Sequence, residues 1–131
     1  MDAKELMKIA RKARQNAYAP YSHFAVGAAL LAESGRVYTG CNIENASYGL
    51  TCCAERNAIF AAVGAGERRF KMLAVAADSP EPVAPCGACR QVIADTEKRQ
   101  GAPIRLILCG ACSATVVESA RALLPFTFEL E

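Results

Sequence analysis

Lys71-Met72-Leu73-Ala74-Val75-Ala76-Ala77 holds an apolar run that no polar residue interrupts after its first position. A strand with one wet face alternates polar and apolar side chains, whereas a strand covered on both faces does not, so this run predicts a central, doubly covered strand. Working outward, residues 24–32 read as a strand rich in small residues, on which another element packs closely. Ser34-Gly35 reads as a turn, and residues 36–43 return as the second strand of a hairpin. Residues 3–18 carry helical spacing, with Leu6, Ile9, Ala10, Ala13 and Ala17 on one stripe, and Ala19-Pro20-Tyr21-Ser22 stops them. Residues 53–63 form a helix ended by Gly64-Ala65-Gly66, and residues 86–99 another after the Pro-rich loop 79–85. Strands at 104–108 and 115–118 and a short helix at 119–124, stopped by Pro125, complete the chain. The order α-β-β-α-β-α-β-β-α predicts an α/β protein, a three-layer α/β/α sandwich around a mixed five-stranded sheet. With no linker or low-complexity segment in view, residues 1–131 are expected to form one domain.

Charge and composition narrow the function. The formal net charge is +2 with acids and bases interspersed, so there is no basic groove for a nucleic acid. No apolar run approaches the roughly 20 residues of a membrane span. Met1-Asp2-Ala3-Lys4-Glu5-Leu6-Met7 lacks the apolar stretch of an export signal, so the chain is expected in the cytoplasm. In that compartment the seven cysteines point to metal binding or catalysis rather than disulfides.

Two short runs give those thiols a purpose. Thr51-Cys52-Cys53-Ala54-Glu55 offers a thiolate and a nearby carboxylate; Pro85-Cys86-Gly87-Ala88-Cys89 offers two thiolates behind a proline. Both fall at predicted helix N-termini, where backbone N–H groups favour thiolate. Cys53, Cys86 and Cys89 would bind one Zn²⁺ per subunit and leave its fourth corner open for water, the mark of a catalytic site. Glu55 would move that water's protons. Three thiolates make the centre anionic, and Arg56 is expected to draw charge away by donating to sulfur. The alternative is a structural zinc closed by Cys52 or Cys112. Cys109-Gly110-Ala111-Cys112 repeats the letters of the second run but sits across a hairpin turn, without the preceding proline or a following helix. Its thiols are expected to be solvent-accessible or half-buried. Cys41 is expected to be a small core residue at a strand end, and His23 a plain loop residue.

The chain resembles the small, homotetrameric cytidine deaminases. The resemblance rests on Tyr18-Ala19-Pro20-Tyr21-Ser22, Phe24-Ala25-Val26-Gly27-Ala28, Gly40-Cys41-Asn42-Ile43-Glu44-Asn45-Ala46, Cys53-Ala54-Glu55-Arg56, Pro85-Cys86-Gly87-Ala88-Cys89-Arg90-Gln91 and Leu123-Leu124-Pro125. Cysteine rather than histidine at position 53 matches the all-thiolate, short-chain branch. The resemblance implies hydrolytic attack at C4 of cytidine or deoxycytidine, with Glu55 carrying protons to N3 and to the departing amine. It implies that the Ala54 N–H holds the pyrimidine O2 and that a backbone carbonyl near Pro85 accepts from the exocyclic amine. It also implies that Asn42 and Glu44 read the ribose 3′-OH and that Phe24 packs on the nucleoside. Ala46, Tyr48 and a C-terminal aromatic would lie at pockets shared between subunits of a homotetramer. Phe128 matches that aromatic by its distance from Pro125, and Phe126 competes for the role. A blasticidin S deaminase on the same scaffold is a rival that need not keep Asn42 and Glu44. A polynucleotide editor is another, disfavoured by the missing basic groove and the absence of tryptophan.

Overall fold

The computed structural model describes residues 1–130. One mixed sheet holds five strands: β1 (Val26–Ala32), β2 (Val37–Cys41), β3 (Phe70–Ala77), β4 (Arg105–Cys109) and β5 (Ala114–Val117). Their spatial order is β2-β1-β3-β4-β5, which puts the 71–77 run at the centre as expected. β1 runs antiparallel to both β2 and β3, β3 and β4 are parallel, and β5 returns antiparallel to β4. The parallel pair needs a crossover, supplied by helix α3 (Gly87–Gln100).

The two faces of β3 show why its run is continuous. Leu73 and Val75 pack with Ala54, Ala58 and Ile59 of α2 (Ala54–Gly64) and Ile93 of α3. Ala74 and Ala76 pack with Leu6 and Ala10 of α1 (Ala3–Ala13) on the other face. The small side chains of β1 let both helical layers sit close. A Cβ on Gly27 would lie 2.2 Å from the Ala10 carbonyl oxygen, and one on Gly40 of β2 would lie 2.4 Å from that of Ala54. Either would have to push a helix off the sheet.

The departures from expectation are local. The first helix ends at Ala13 and tightens into a 3₁₀ turn over Arg14–Asn16, because residues 17–18 turn away to bridge Tyr18 to Ile43. Its start is fixed by a capping box between Asp2 and Glu5. The closing helix is a 3₁₀ turn, Ala120–Leu123, capped by Ser119. Its entry is tied down by Glu97, a buried carboxylate that accepts from Ser119 Oγ (3.0 Å), Ala120 N (3.2 Å) and Ile104 N (2.7 Å). Leaving a buried hydrogen-bonding group unpaired costs about 1–3 kcal/mol, so Glu97 anchors α3 to β4 and to the C-terminal turn. Residues 124–130 then run back over α3, where Gln91 donates to the Phe128 carbonyl at 3.1 Å and Lys98 and Arg121 both reach Glu129.

Candidate metal centre and substrate cleft

Cys53 and Cys86 are the N-caps of α2 and α3, both extended in backbone and neither capping its helix with its own side chain. A helix start leaves its first backbone N–H groups without intrahelical partners. Cys89 lies one turn into α3 and is buried. The three sulfurs lie within 4.8 Å of one another, and Cys53 Sγ is 3.6 Å from Cys86 Sγ. Two thiolates on one tetrahedral zinc sit roughly 3.8 Å apart, from Zn–S bonds of about 2.3 Å.

The electrostatics of the sulfurs fit a cation. The Cys89 thiol donates to Cys53 and, together with Arg56, pulls the Cys53 thiol down to about 5. Cys89 moves the opposite way, held protonated by that same hydrogen bond and by burial. Without a cation, Cys53 and Cys89 are thus pushed in opposite directions by one shared proton. A divalent ion removes that conflict, since metal binding displaces thiol protons. Arg56 donates to Cys53 Sγ at 3.4 Å, as anticipated from the sequence. Its Nε is the buried side-chain nitrogen without a partner among the described residues. A guanidinium with donor capacity to spare suits a centre whose sulfurs all become anionic.

Beside the sulfurs opens a cleft of about 270 Å³. Its walls include Phe24, Asn42, Glu44, Cys53, Ala54, Glu55 and Cys86, which the sequence had nominated, and Ser22, Thr51, Val83 and Ala84, which it had not. Glu55 is 4 % exposed, and burial raises its carboxyl above the ordinary range. A carboxylate so placed holds a proton more readily than one in water.

Asn42 and Glu44 share the cleft, but each is already engaged. Asn42 accepts from Val26 N at 2.8 Å and donates to the Phe24 carbonyl at 2.7 Å, which leaves one N–H and one lone pair. Glu44 accepts from Ser22 Oγ and from the backbone N–H groups of Tyr21 (2.9 Å) and Ser22 (3.1 Å). The Ser22 hydroxyl leads in holding this carboxyl below its usual range. Ser22 Oγ in turn accepts from Phe24 N at 3.0 Å, so one serine orders two cleft residues. The signal that could have revealed it is a serine two residues before an N–H that needs a partner, a common turn device.

Other expectations land elsewhere. Tyr48 stands exposed against Tyr21, with ring centroids 6.2 Å apart, on a cavity adjoining the cleft, and Ala46 is exposed outside it. Phe128 lies on the outer face of α2 and α3, near Ile59, Phe60 and Val63, not in its own cleft. Phe126 is fully exposed. The Pro85 carbonyl is taken by Arg90 Nε at 2.7 Å. That bond takes one of the two lone pairs of the Pro85 carbonyl. Cys109 is a correction: it is buried among Leu6, Ala74 and Ile107 rather than solvent-accessible or half-buried, because its strand faces α1. Cys112 is exposed, and Cys41 is half-buried at the end of β2. His23 is an exposed loop residue with a positive φ of 58°.

Comparison with known proteins agrees with this geometry. The family profile of the cytidine and deoxycytidylate deaminase zinc-binding region matches residues 1–101. The chain is 62% identical over 95 residues to a cytidine deaminase of Sporosarcina psychrophila, covering 72% of this chain and 70% of that protein. It is 59% identical over 95 residues to one of Halalkalibacterium halodurans, covering 72% of each. The crystal structure of a cytidine deaminase from Burkholderia pseudomallei superposes with a TM-score of 0.91 at 46% identity, covering 98% of this chain and all of that one.

Proposed function

Because this chain belongs to the cytidine and deoxycytidylate deaminase family, a family of zinc-binding enzymes, we propose that it hydrolyses cytidine and 2′-deoxycytidine to uridine and 2′-deoxyuridine with release of ammonia. The observation that carries the reading is the convergence of three thiol ligands and one buried carboxylate on a cleft of nucleoside size. Cys53, Cys86 and Cys89 would hold one zinc. Bound there, zinc supplies Lewis acidity that makes a water acidic enough to attack near neutral pH.

The chain's own groups do the rest. Water adds to C4 as N3 is protonated, and the C4–NH₂ bond breaks afterwards, so two proton transfers have to be handled. Glu55 takes one proton of the attacking water and passes it to the ring nitrogen N3, then takes the proton of the new C4 hydroxyl and delivers it to the departing amine, leaving the C4 carbonyl of uridine and ammonia. Burial suits both duties, since it raises the carboxyl's hold on the proton it has to carry. The free N–H of Ala54 at the start of α2 offers a donor to the pyrimidine O2. The spare donor on Asn42 and the ionised Glu44 complement a ribose 3′-OH, which both donates and accepts. An anionic Glu44 in that wall repels a nucleotide phosphate, which favours free nucleosides. Phe24 supplies an apolar wall for the sugar or base.

The same reading includes assembly. One subunit leaves Tyr48, Leu50, Phe126 and Phe128 exposed, and a soluble monomer seldom exposes so many large apolar side chains. We take them as contacts of a homotetramer in which Phe128 and the 42–48 loop complete neighbouring clefts. A cytoplasmic role in pyrimidine salvage goes with this; no helix of the described residues is long and apolar enough to cross a membrane.

Ammonia release from cytidine by the purified, zinc-loaded protein tests the activity. Turnover of both nucleosides is expected, and a zinc-loaded protein inert toward both would end the proposal. Light scattering tests the tetramer.

A further inference from the structure

The roof of the cleft, formed by Val83 and Ala84, belongs to a stretch with no regular secondary structure. Three prolines, Pro80, Pro82 and Pro85, deprive it of backbone donors. It is held at two ends. Upstream, Ala111 N donates to the Ser79 carbonyl at 2.7 Å and Cys112 N to the Pro80 carbonyl at 3.2 Å. Downstream, the hold is a single side chain. Arg90 Nε donates to the Pro85 carbonyl at 2.7 Å and its other arm to the Leu123 carbonyl at 2.8 Å. Arg90 thus spans from the residue before Cys86 to the turn that leads into the C-terminal segment. Charge-assisted bonds to two carbonyls in fixed fork geometry are the strong kind, and arginine alone among cationic side chains makes them from one planar group. No donor among the described residues reaches the carbonyl of Ala84, a residue that lines the cleft.

We propose that Arg90 is a positioning residue for recognition of the exocyclic amine: by occupying the Pro85 carbonyl it fixes the roof so that the Ala84 carbonyl is the acceptor the amine meets. This rests on the deaminase reading. Arg90 touches neither nucleoside nor metal. Its loss loosens the roof and costs recognition of the group that distinguishes cytidine from uridine. A role in stability alone would not distinguish the two.

The test compares zinc-loaded wild type, Arg90→Ala and Arg90→Lys by kcat and KM for cytidine, inhibition by uridine, bound zinc and thermal melting. Arg90→Ala is expected to raise KM for cytidine about tenfold while uridine inhibition weakens less than about threefold, one hydrogen bond to a charged group being worth roughly that factor. Bound zinc stays level and kcat falls less than KM rises. Arg90→Lys keeps the charge and donors but loses the fixed planar fork, so it recovers part of the loss. If Arg90→Ala does not fold, Arg90→Lys decides: a raised cytidine KM with steady uridine inhibition supports the assignment. Unchanged KM, or equal weakening toward cytidine and uridine, overturns it. Wild type inert toward cytidine with zinc bound would instead defeat the deaminase reading, and this inference with it.

Discussion

Cys86-Gly87-Ala88-Cys89 and Cys109-Gly110-Ala111-Cys112 are spelled alike and do opposite things. The first opens a helix behind a buried proline, and its two thiols meet Cys53. The second joins β4 to β5, and the pleat sends Cys109 into the core under α1 while Cys112 stays in solvent. The glycines differ as well. A Cβ on Gly87 would meet nothing within 4 Å, whereas one on Gly110 would lie 2.4 Å from the Pro80 carbonyl oxygen. The second run clamps the loop that leads to the cleft roof through backbone groups, and its thiols play no part in that. Four letters therefore make a ligand pair only where a helix N-terminus turns both sulfurs to one side and a third sulfur waits there.

The contrast can be broken most directly at its two exposed thiols. Cys86→Ala should release the metal and abolish turnover, weakening binding well beyond the ~10–100-fold typical of losing a partner outside the ligand set. Cys112→Ala should leave metal content and rate unchanged. Equal zinc retention in both, measured by elemental analysis, would show that the two runs do not differ as described. Glu55→Gln keeps the ligands and removes the proton carrier, so zinc content should hold while kcat falls about 10²–10⁴-fold. A kcat near wild type would remove Glu55 from the chemistry.

A third measurement uses acidity. In metal-free protein Cys53, lowered to about 5, is thiolate at neutral pH and at mildly acidic pH, and it protonates only as pH falls through that value. Its alkylation should therefore stay fast from pH 8 down to about 6, where an ordinary thiol of pKa ~8.5 has slowed about 75-fold. A cysteine-containing peptide in the same sample gives the reference thiol, and zinc should protect Cys53 together with Cys86 and Cys89. Equal pH profiles for the two would contradict the hydrogen bonding among the sulfurs. The smallest effect separates the glycines. Gly110→Ala should destabilise by about 1–3 kcal/mol through overpacking, and Gly87→Ala should be neutral or stabilise by up to about 1 kcal/mol. Matching melting curves would dismiss the clamp.

Legibility in the sequence followed physical range. The central position of 71–77, the strand pair around Ser34-Gly35, and Cys53 and Cys86 at helix starts were all readable, because each rests on contacts within a few residues or on burial written into composition. That Cys53, Cys86 and Cys89 would gather, with Glu55 nearby, was readable for a related reason: a metal site constrains residue type and spacing. Ser22 was not, since its role appears only when the 21–24 loop folds against Glu44. The occupied Pro85 carbonyl was equally hidden, because its partner is a side chain on the next helix.

The chain's letters alone thus determined the layered α/β architecture, the sulfur ligands and the acid beside them, since periodicity and donor chemistry are local properties. Only the tertiary structure decided that Cys109 is buried and Cys112 exposed, that Asn42 and Glu44 enter the cleft half spent on backbone partners, and that Phe128 lies away from its own cleft. Those outcomes depend on which surfaces meet after distant segments pack, and residue order constrains that only through the whole fold.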